Sequence, residues 1–386
     1  MSSRRAKALT QPAPQPGVAE SPAKNNWLFF FVGAVLFTVV MMLLSFPVGL
    51  YTVFGTTLSG NYTASTAVHG LVYDFVFASV QLPIVGNLGD VFIAALLIYL
   101  GFFLLAAKQG AGMFGSLRAS IRDGYRALFS NPLVAMLVLL GVTSLVTVSL
   151  DTFQSNSGIS TGSLTGDPFS LLLDFTIAPL LEETTFRLIM LGLPVLLLAL
   201  VLLRNFSPAM VAKVLWRPSS AWDTDETDGV ATSRSFADSD PAIFPGYSSD
   251  SLKARTMRPV VIVFLVLSSI IFGYSHFASG SGWGPGKISE AALAGLALGY
   301  LYIKYGLHTS ILLHWSINYV GSVYSFFGQG VYGIPWTSNT GSYLDVVPTL
   351  DFVLLLGVPS TLIIANELLK RALGSRQSGQ RPVRMG

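Results

Sequence analysis

The stretch WLFFFVGAVLFTVVMMLLSFPVGL, from Trp27 to Leu50, decides the fold, because its 24 residues contain no charged side chain. About 20 apolar residues of helix cross a hydrocarbon core of ~30 Å. The rest of the chain has the same character: of 386 residues, 52% are hydrophobic and 11% are charged, against roughly 25% charged in a soluble globular chain. The sequence therefore predicts a polytopic protein of the lipid bilayer and excludes a water-soluble enzyme.

Seven further apolar segments of spanning or near-spanning length follow along the chain. They are residues 91–107, 132–150, 179–203, 259–276, 288–301, 307–327 and 346–369. The predicted fold class is all-α, a polytopic membrane helix bundle of about eight transmembrane helices. Two weaker segments, residues 71–85 and 169–178, are interpreted as half-helices or surface helices, with Pro179 as the break after the second.

The composition divides the chain into tails, membrane helices and one long polar insertion. The predicted regions are a disordered tail (1–26), N-terminal transmembrane helices (27–167), a core that carries the polar motifs (168–330), a polar insertion within it (204–258), the last transmembrane helix (331–369) and a basic tail (370–386). The insertion is rich in Asp, Ser and Thr, and its simplest interpretation is a solvated linker.

Lysine and arginine occur in alternate loops. They are present in the N-terminal tail, residues 108–131, residues 204–258 and the C-terminal tail, and absent from residues 51–90, 151–167 and 328–345. The positive-inside rule then places both termini and the insertion in the cytoplasm, which agrees with an even number of helices in a multi-pass protein of the cell membrane. This placement accounts for the basic residues, and a net charge of +3 is too small to indicate a nucleic-acid partner.

Ionisable residues on apolar helices are the candidates for chemistry, because charge is costly in lipid. The densest set is EETTFR at residues 182–187. Glu183 and Arg187 are four residues apart on one helix face, where a salt bridge would neutralise both. Glu182 points about 100° away around the helix. A purely structural interpretation therefore leaves Glu182 without a partner.

Two later helices carry polar groups at helical spacing, FGYSH at residues 272–276 and HWSIN at residues 314–318. His314 and Asn318 face the same way and could contact one substrate atom or water together. A single membrane histidine is often only an interhelical hydrogen-bond donor or acceptor. Three polar helices together favour a site between them.

In this order, E-E-x-x-x-R, F-x-x-x-H and H-x-x-x-N resemble the CAAX protease and bacteriocin-processing family of intramembrane proteases. That family includes Rce1-type prenyl-protein endopeptidases and Abi-like immunity proteins, and the resemblance covers roughly residues 170–330. It implies that residues 168–330 are a protease core with a site made of Glu182, Glu183, Arg187, His276, His314 and Asn318. Leu188 stands where the family often has glycine, and the insertion is a second departure.

The resemblance implies that Glu182 is the carboxylate that activates water, with Glu183 and Arg187 as its motif companions. His276 and His314 would complete the site, and Asn318 would be an oxyanion donor. The physical case agrees, because a partly desolvated carboxylate can take a proton from water near neutral pH. Fixed donors in a low-dielectric site stabilise the oxyanion that follows.

Zinc is the competing mechanism, with Glu182, His276 and His314 as ligands and water as the fourth. No H-E-x-x-H spacing is present, so the ligands would come from separate helices. The sequence leaves metal-free and zinc catalysis both open. The absence of cysteine excludes thiolate ligands, a cysteine nucleophile and disulfides.

Other intramembrane proteases fit the sequence less well. A rhomboid-type serine site needs G-x-S-G, and the nearest segment is Gly273 to His276; a presenilin-type aspartyl pair is suggested by Asp74 and Asp90, but Asn87 replaces the first glycine of G-x-G-D. The alternative from another class is a non-catalytic transporter or partner-binding scaffold that keeps the protease-like helices.

The predicted function is thus an endopeptidase that cleaves a membrane-associated protein or peptide, of which prenylated C-a-a-X proteins are one class. The charge bias places Glu182 and His276 nearer the external ends of their helices, whereas His314 lies ~10 Å along its helix from Leu307, on the cytoplasmic side. The sequence leaves open from which side a substrate would reach the site.

Overall fold

Long apolar helices make up most of the chain in a computed structural model, which describes residues 26–58, 62–75, 78–82, 85–203, 207–221, 252–336 and 348–378. Six of them are long and apolar enough to cross a membrane. These are Trp27–Gly55, Leu88–Asp123, Pro132–Asn156, Pro168–Leu202, Thr256–Ala278 and Pro348–Lys370. The prediction of an all-α, multi-pass membrane bundle is confirmed.

The helices are numbered in chain order. They are α1 (Asn26–Gly55), α2 (Leu88–Lys108), α3 (Met113–Asp123), α4 (Pro132–Asn156), α5 (Pro168–Glu183), α6 (Leu193–Leu203), α7 (Pro208–Trp216), α8 (Leu252–Ala278), α9 (Gly286–Tyr305), α10 (Leu307–Trp315), α11 (Val323–Tyr332) and α12 (Val358–Ser378). Short 3₁₀ segments occupy Tyr125–Ser130 and Pro218–Ala221, and π-helical segments occupy Thr184–Gly192, Ser316–Val320 and Asp351–Gly357.

Two of the eight predicted spans differ from the six long helices. Residues 288–301 lie in α9, and residues 307–327 are divided among α10, a π-helical segment and α11. Neither α9 nor α10 has the length and apolar composition of a complete span. All nine residues of α10 are buried, so this helix lies inside the bundle rather than against lipid.

The prediction of a half-helix at residues 71–85 is wrong. Leu71–Phe75 (β2) pairs antiparallel with Ala78–Leu82 (β3), and Ala67–Val68 (β1) pairs with Gly86–Asn87 (β4). Apolar and polar residues alternate in Ala78–Leu82, and Leu71–Phe75 is rich in valine and aromatic residues, which favours paired strands. Immediately after this hairpin, Asn87 caps α2: its side chain accepts from the Asp90 N–H at 2.9 Å, and its backbone N–H donates to the Asp90 carboxylate at 3.1 Å.

The predicted break at Pro179 is also wrong. Pro179 lies inside α5, and the helix continues through a π-helical segment into α6. Neighbouring groups stabilise backbone that a membrane proline leaves unpaired. The carbonyl that Pro179 leaves without its helical N–H donor is that of Phe175, and the Tyr99 hydroxyl donates to the adjacent carbonyl of Thr176 at 2.6 Å. Residues 169–178 are therefore the first part of a spanning helix.

Aromatic stacking fixes α10 in the centre of the bundle. The Trp315 ring stacks on Tyr99 of α2 with 4.8 Å between centroids, and on Tyr319 with 5.2 Å. Phe46 of α1 contacts the same indole at 5.3 Å. These contacts fix the orientation of the helix turn that also carries His314.

The described start of the polar insertion packs on the bundle rather than extending as a linker. Trp216 of α7 stacks on His308 with 5.2 Å between ring centroids and an angle of 6°. The Tyr302 hydroxyl donates to the carbonyl of Leu215 at 2.7 Å. The acidic part of the insertion (222–251) and the tail predicted to be disordered (1–25) lie outside the described residues.

Candidate active site

The pair Glu182 and Glu183 ends α5, where the α-helix changes to the π-helical segment Thr184–Gly192. Single π-helical turns within α-helices occur frequently at functional sites. Adjacent helical residues point about 100° apart, so the two carboxylates have different surroundings.

Glu183 is completely buried, and both of its oxygens have partners. Oε1 lies 3.0 Å from Nδ1 of His314, and Oε2 accepts from Nε of Arg187 at 3.1 Å. The Ser310 hydroxyl donates to Oε2 as well. One carboxylate thus joins the first motif to two residues of α10.

Arg187 is buried to the same extent as Glu183. Its guanidinium carbon lies 5.0 Å from the centroid of the Phe272 ring, a cation–π contact. Its Nη1 and Nη2 atoms are buried and have no hydrogen-bond partner among the described residues. Glu183 therefore supplies the charge partner of this arginine.

Glu182 directs one oxygen towards both histidines. Its Oε2 lies 3.7 Å from Nε2 of His314 and 4.0 Å from Nε2 of His276. The atom is buried and has no hydrogen-bond partner among the described residues. Both separations are too long for a direct hydrogen bond and short enough for one water to bond to the carboxylate and an imidazole together.

The second nitrogen of each imidazole has a fixed partner. Nδ1 of His276 lies 2.9 Å from the carbonyl of Phe272, and a carbonyl can only accept a hydrogen bond, so Nδ1 carries the proton. Neutral His276 then presents a lone pair at Nε2. Nδ1 of His314 donates to ionised Glu183, so His314 presents a lone pair when neutral and an N–H donor when protonated.

Phe272 packs between these groups. Its ring meets the imidazoles of His276 and His314 edge to face, with centroids at 4.7 and 5.6 Å. The same ring contacts Phe186 at 5.0 Å. Phe272, a residue of the second motif, thus contacts residues of the first and third motifs as well as His276.

A cavity of about 140 Å³ lies beside the histidines. Side chains from five elements line it. Its lining includes Thr143, Ser144 and Thr147 of α4, Phe272 and His276 of α8, Lys287, Glu290, Ala291, Ala294 and Leu298 of α9, and His314, Ile317 and Asn318 at and after the end of α10. Asn318 thus faces the same space as both histidines.

The three candidate zinc ligands lie farther apart than a compact zinc site requires. Bonds of about 2.0–2.1 Å in tetrahedral geometry place neighbouring donor atoms about 3.3 Å apart. The Glu182 oxygen lies 3.7 and 4.0 Å from the two Nε2 atoms. Among the described residues, no three His, Cys, Asp or Glu side chains form a group suited to a metal ion. The donor spacing fits a bridging water better than a metal.

Sequence reasoning missed Ser310 and Lys287. Ser310 precedes His314 by four residues on the same helix face, and this spacing could have identified it. Lys287 has no such signal, because its place at the cavity depends on how α8 packs on α9. Ser275, the serine of the rhomboid-like segment, donates to the Phe272 carbonyl of its own helix at 2.8 Å.

Comparison with known proteins identifies one family. Residues 165–320 match the family model described as type II CAAX prenyl endopeptidase Rce1-like. No curated protein and no solved structure matches the chain. The matched segment contains all three motifs and the cavity-lining residues of α8, α9 and α10, whereas Thr143, Ser144 and Thr147 of α4 lie before it.

Proposed function

We propose that the chain is an intramembrane endopeptidase in which Glu182 activates the attacking water, because residues 165–320 match the Rce1-like family model. The observation that carries the proposal is the buried Oε2 of Glu182, which faces Nε2 of both His276 and His314 within 4.0 Å. A carboxylate with no other partner in the described residues is suited to accept a proton.

In the proposed reaction a water lies between Glu182 and His276. The water gives its proton to Glu182, and its oxygen attacks the scissile carbonyl carbon. The lone pair at Nε2 of His276 orients the second O–H bond, because Nδ1 already holds the ring proton against the Phe272 carbonyl. The proton on Glu182 passes to the amine that leaves as the C–N bond breaks.

The oxyanion forms opposite the two remaining polar groups, His314 and Asn318. Asn318 donates with its side-chain amide, and protonated His314 donates with Nε2. Glu183 accepts from Nδ1 of His314 and stabilises the protonated ring. Through this bond to His314, Glu183 has a function that does not require contact with the substrate.

The substrate class we propose is a membrane-associated protein or peptide. A cavity inside a helix bundle admits a chain that is already held at the membrane. Prenylated proteins that end in C-a-a-X are the class suggested by the family.

Replacement of Glu182 tests this function directly. Glu182→Gln is nearly isosteric and removes the base, so we expect proteolysis to fall by at least 100-fold, the range in which general-base groups contribute. The measurement is mass spectrometry of membrane-protein termini in cells that express either form. Asp174→Asn is the matched control, because Asp174 is exposed on the same helix.

A set of termini that disappears with Glu182→Gln and remains with Asp174→Asn identifies the substrates. Termini that are unchanged by Glu182→Gln, in a protein that is inserted and folded normally, would contradict the proposal. A transporter or a scaffold would produce that second result.

A further inference from the structure

Lys287 lies beside the catalytic residues although it belongs to none of the three motifs. It is the second residue of α9 and lines the same cavity as His276, His314 and Asn318. Helices α8 and α9 approach closely here, since a Cβ added to Gly273 would lie 2.2 Å from the Ile288 carbonyl oxygen. This approach holds the start of α9 against the last two turns of α8, where His276 lies.

Helix stability does not account for a lysine at this position. The first turn of a helix carries partial positive charge, which disfavours a cation. The ammonium lies 3.6 Å from Glu290, three residues later, and a basic residue before its acidic partner is the less favourable order on a helix. The lysine therefore contributes little to its own helix.

The ammonium is nevertheless held in one place. Its Nζ lies 4.2 Å from the centroid of the Trp283 ring. The loop that carries Trp283 is fixed by backbone bonds, from Gly284 N–H to the Thr161 carbonyl at 2.8 Å and from Ser163 N–H to the Gly282 carbonyl at 3.1 Å. Glu290, which is 8% exposed, orients the ammonium from within the bundle.

This arrangement suits an anion that enters the cavity. A lysine ammonium has three N–H donors, more than one carboxylate at 3.6 Å can use. Among the described residues that line the cavity, Lys287 is the one lysine or arginine. A bound carboxylate would complete its hydrogen bonds without disturbing Glu290.

We propose that Lys287 binds the C-terminal carboxylate of the peptide substrate, so that the protein recognises the free end of the segment that it removes. The inference rests on the proposed function. A C-a-a-X sequence is at the C-terminus of a protein, so cleavage after the cysteine releases three residues. Three extended residues span about 10 Å, which keeps their carboxylate within the same site as the scissile bond.

A pair of peptides tests the assignment. The probe is a farnesylated C-a-a-X peptide made with a free C-terminal carboxylate and with a carboxamide, and the measured quantity is the ratio of the two kcat/KM values. For the wild-type protein we expect kcat/KM to be roughly tenfold higher or more for the peptide with the free carboxylate, the effect of one hydrogen-bonded charge pair. In Lys287→Gln the ratio should fall to about one.

Two further variants separate recognition from folding. Lys287→Arg keeps the cation and should keep most of the preference, whereas Lys304→Gln, at the far end of α9, should keep the wild-type ratio. Because the ratio is taken within one variant, a partly unfolded preparation lowers both rates and leaves it unchanged.

Each other outcome overturns a different statement. A wild-type protein that cleaves both peptides equally, or a Lys287→Gln protein that keeps the wild-type ratio, would refute the role of Lys287 and leave the proposed function intact. A wild-type protein that cleaves neither peptide, while Glu182-dependent products appear among membrane-protein termini, would refute this substrate class and the inference together. Cleavage that survives Glu182→Gln would refute the proposed function itself.

Discussion

Glu182 and Glu183 are neighbours in the chain, yet the bundle gives them opposite surroundings. Glu183 is fully buried and bonded to Arg187, Ser310 and His314. The side chain of Glu182 is 30% exposed, and its Oε2 has no hydrogen-bond partner among the described residues. The surroundings of Glu182 thus suit the proposed base, and those of Glu183 suit a residue that holds the site together.

Glu183→Gln should therefore cost stability. The substitution leaves Arg187 buried without a charge partner, and a broken buried pair costs about 3 to 5 kcal/mol. Glu182→Gln is the matched control and should change stability far less, since it breaks no bond to a described residue. Thermal unfolding of both purified variants in detergent measures the difference. Equal shifts in Tm for the two would contradict the division of roles.

Metal content is a second test at the residue scale. Because the Glu182 oxygen lies 3.7 and 4.0 Å from the two Nε2 atoms, we expect water rather than zinc between these groups. His276→Ala and His314→Ala should lose activity in a protein whose zinc content is the same as that of the wild type. Elemental analysis of the three purified proteins measures this, with Lys304→Gln as the control. Stoichiometric zinc that both histidine variants lose would instead establish a metal site.

At the scale of elements, the sequence predicts the helices well and their mutual packing poorly. Uncharged apolar runs such as residues 27–50 predict a span from composition, and charged residues on such runs identify Glu182 and His276. Ser310 and Lys287 reach the site only because α10 and α9 pack against the motif helices. Ser310 contacts Glu183 across 127 positions, whereas Lys287 is placed by the crossing of α8 and α9 at Gly273 and Ile288.

Two of the errors have different physical origins. Pro179 looks like a break because a proline removes the donor to the Phe175 carbonyl, but Tyr99 of another helix donates to the next carbonyl, that of Thr176. The hairpin at Leu71–Leu82 looks like a surface helix because short apolar runs do not distinguish helix from strand. A contact between residues 77 positions apart supports the helix at Pro179, whereas the hairpin forms by pairing within one short segment.

The crossing of α8 and α9 provides a test at this scale. Gly273→Ala would place a methyl group 2.2 Å from the backbone oxygen of Ile288, so the helices have to separate. We expect a loss of about 1 to 3 kcal/mol in stability and lower activity, because His276 and Lys287 flank this contact. Thermal unfolding and peptide cleavage measure the two effects.

Gly101→Ala is the control for this substitution. Gly101 lies in the middle of α2, and an added Cβ there has no atom within 4 Å. Alanine favours a helix by up to about 1 kcal/mol over glycine, so this variant should be neutral or slightly more stable. A Gly273→Ala protein that behaves like Gly101→Ala would show that the close approach does not position the site.

At the scale of the whole molecule, the cavity extends from one end of the bundle towards its middle, where Thr143 and Leu298 line it. Lys287 is at the start of α9, and His276 is two residues before the end of α8. The loop at Ser160–Ser163 bonds to the loop at Gly282–Gly286 at the same end. A carboxylate bound by Lys287 therefore lies towards the side of the membrane on which these two loops lie.

The side on which these loops lie follows from the charge bias, and it can be measured. The loop at residues 151–167 has no lysine or arginine, whereas residues 204–258 have seven, so we expect both termini and α7 in the cytoplasm and Ser157 outside. The chain has no cysteine, so Ser157→Cys and Ala209→Cys, both at exposed positions, each introduce a single thiol. An impermeant maleimide should label Ser157→Cys in intact cells and Ala209→Cys only after permeabilisation.

The opposite labelling pattern would refute this orientation and would also change the route of the substrate. With the expected pattern the end of the cavity near Lys287 faces outwards, so a prenylated protein made in the cytoplasm has to reach His276 laterally, between helices, through the bilayer. With the reversed pattern the same end faces the cytoplasm, and the C-terminus of such a protein could reach Lys287 without crossing the membrane. The labelling experiment therefore determines both the topology and the route to the site. Both depend on which side of the membrane holds the end of α8 and the start of α9.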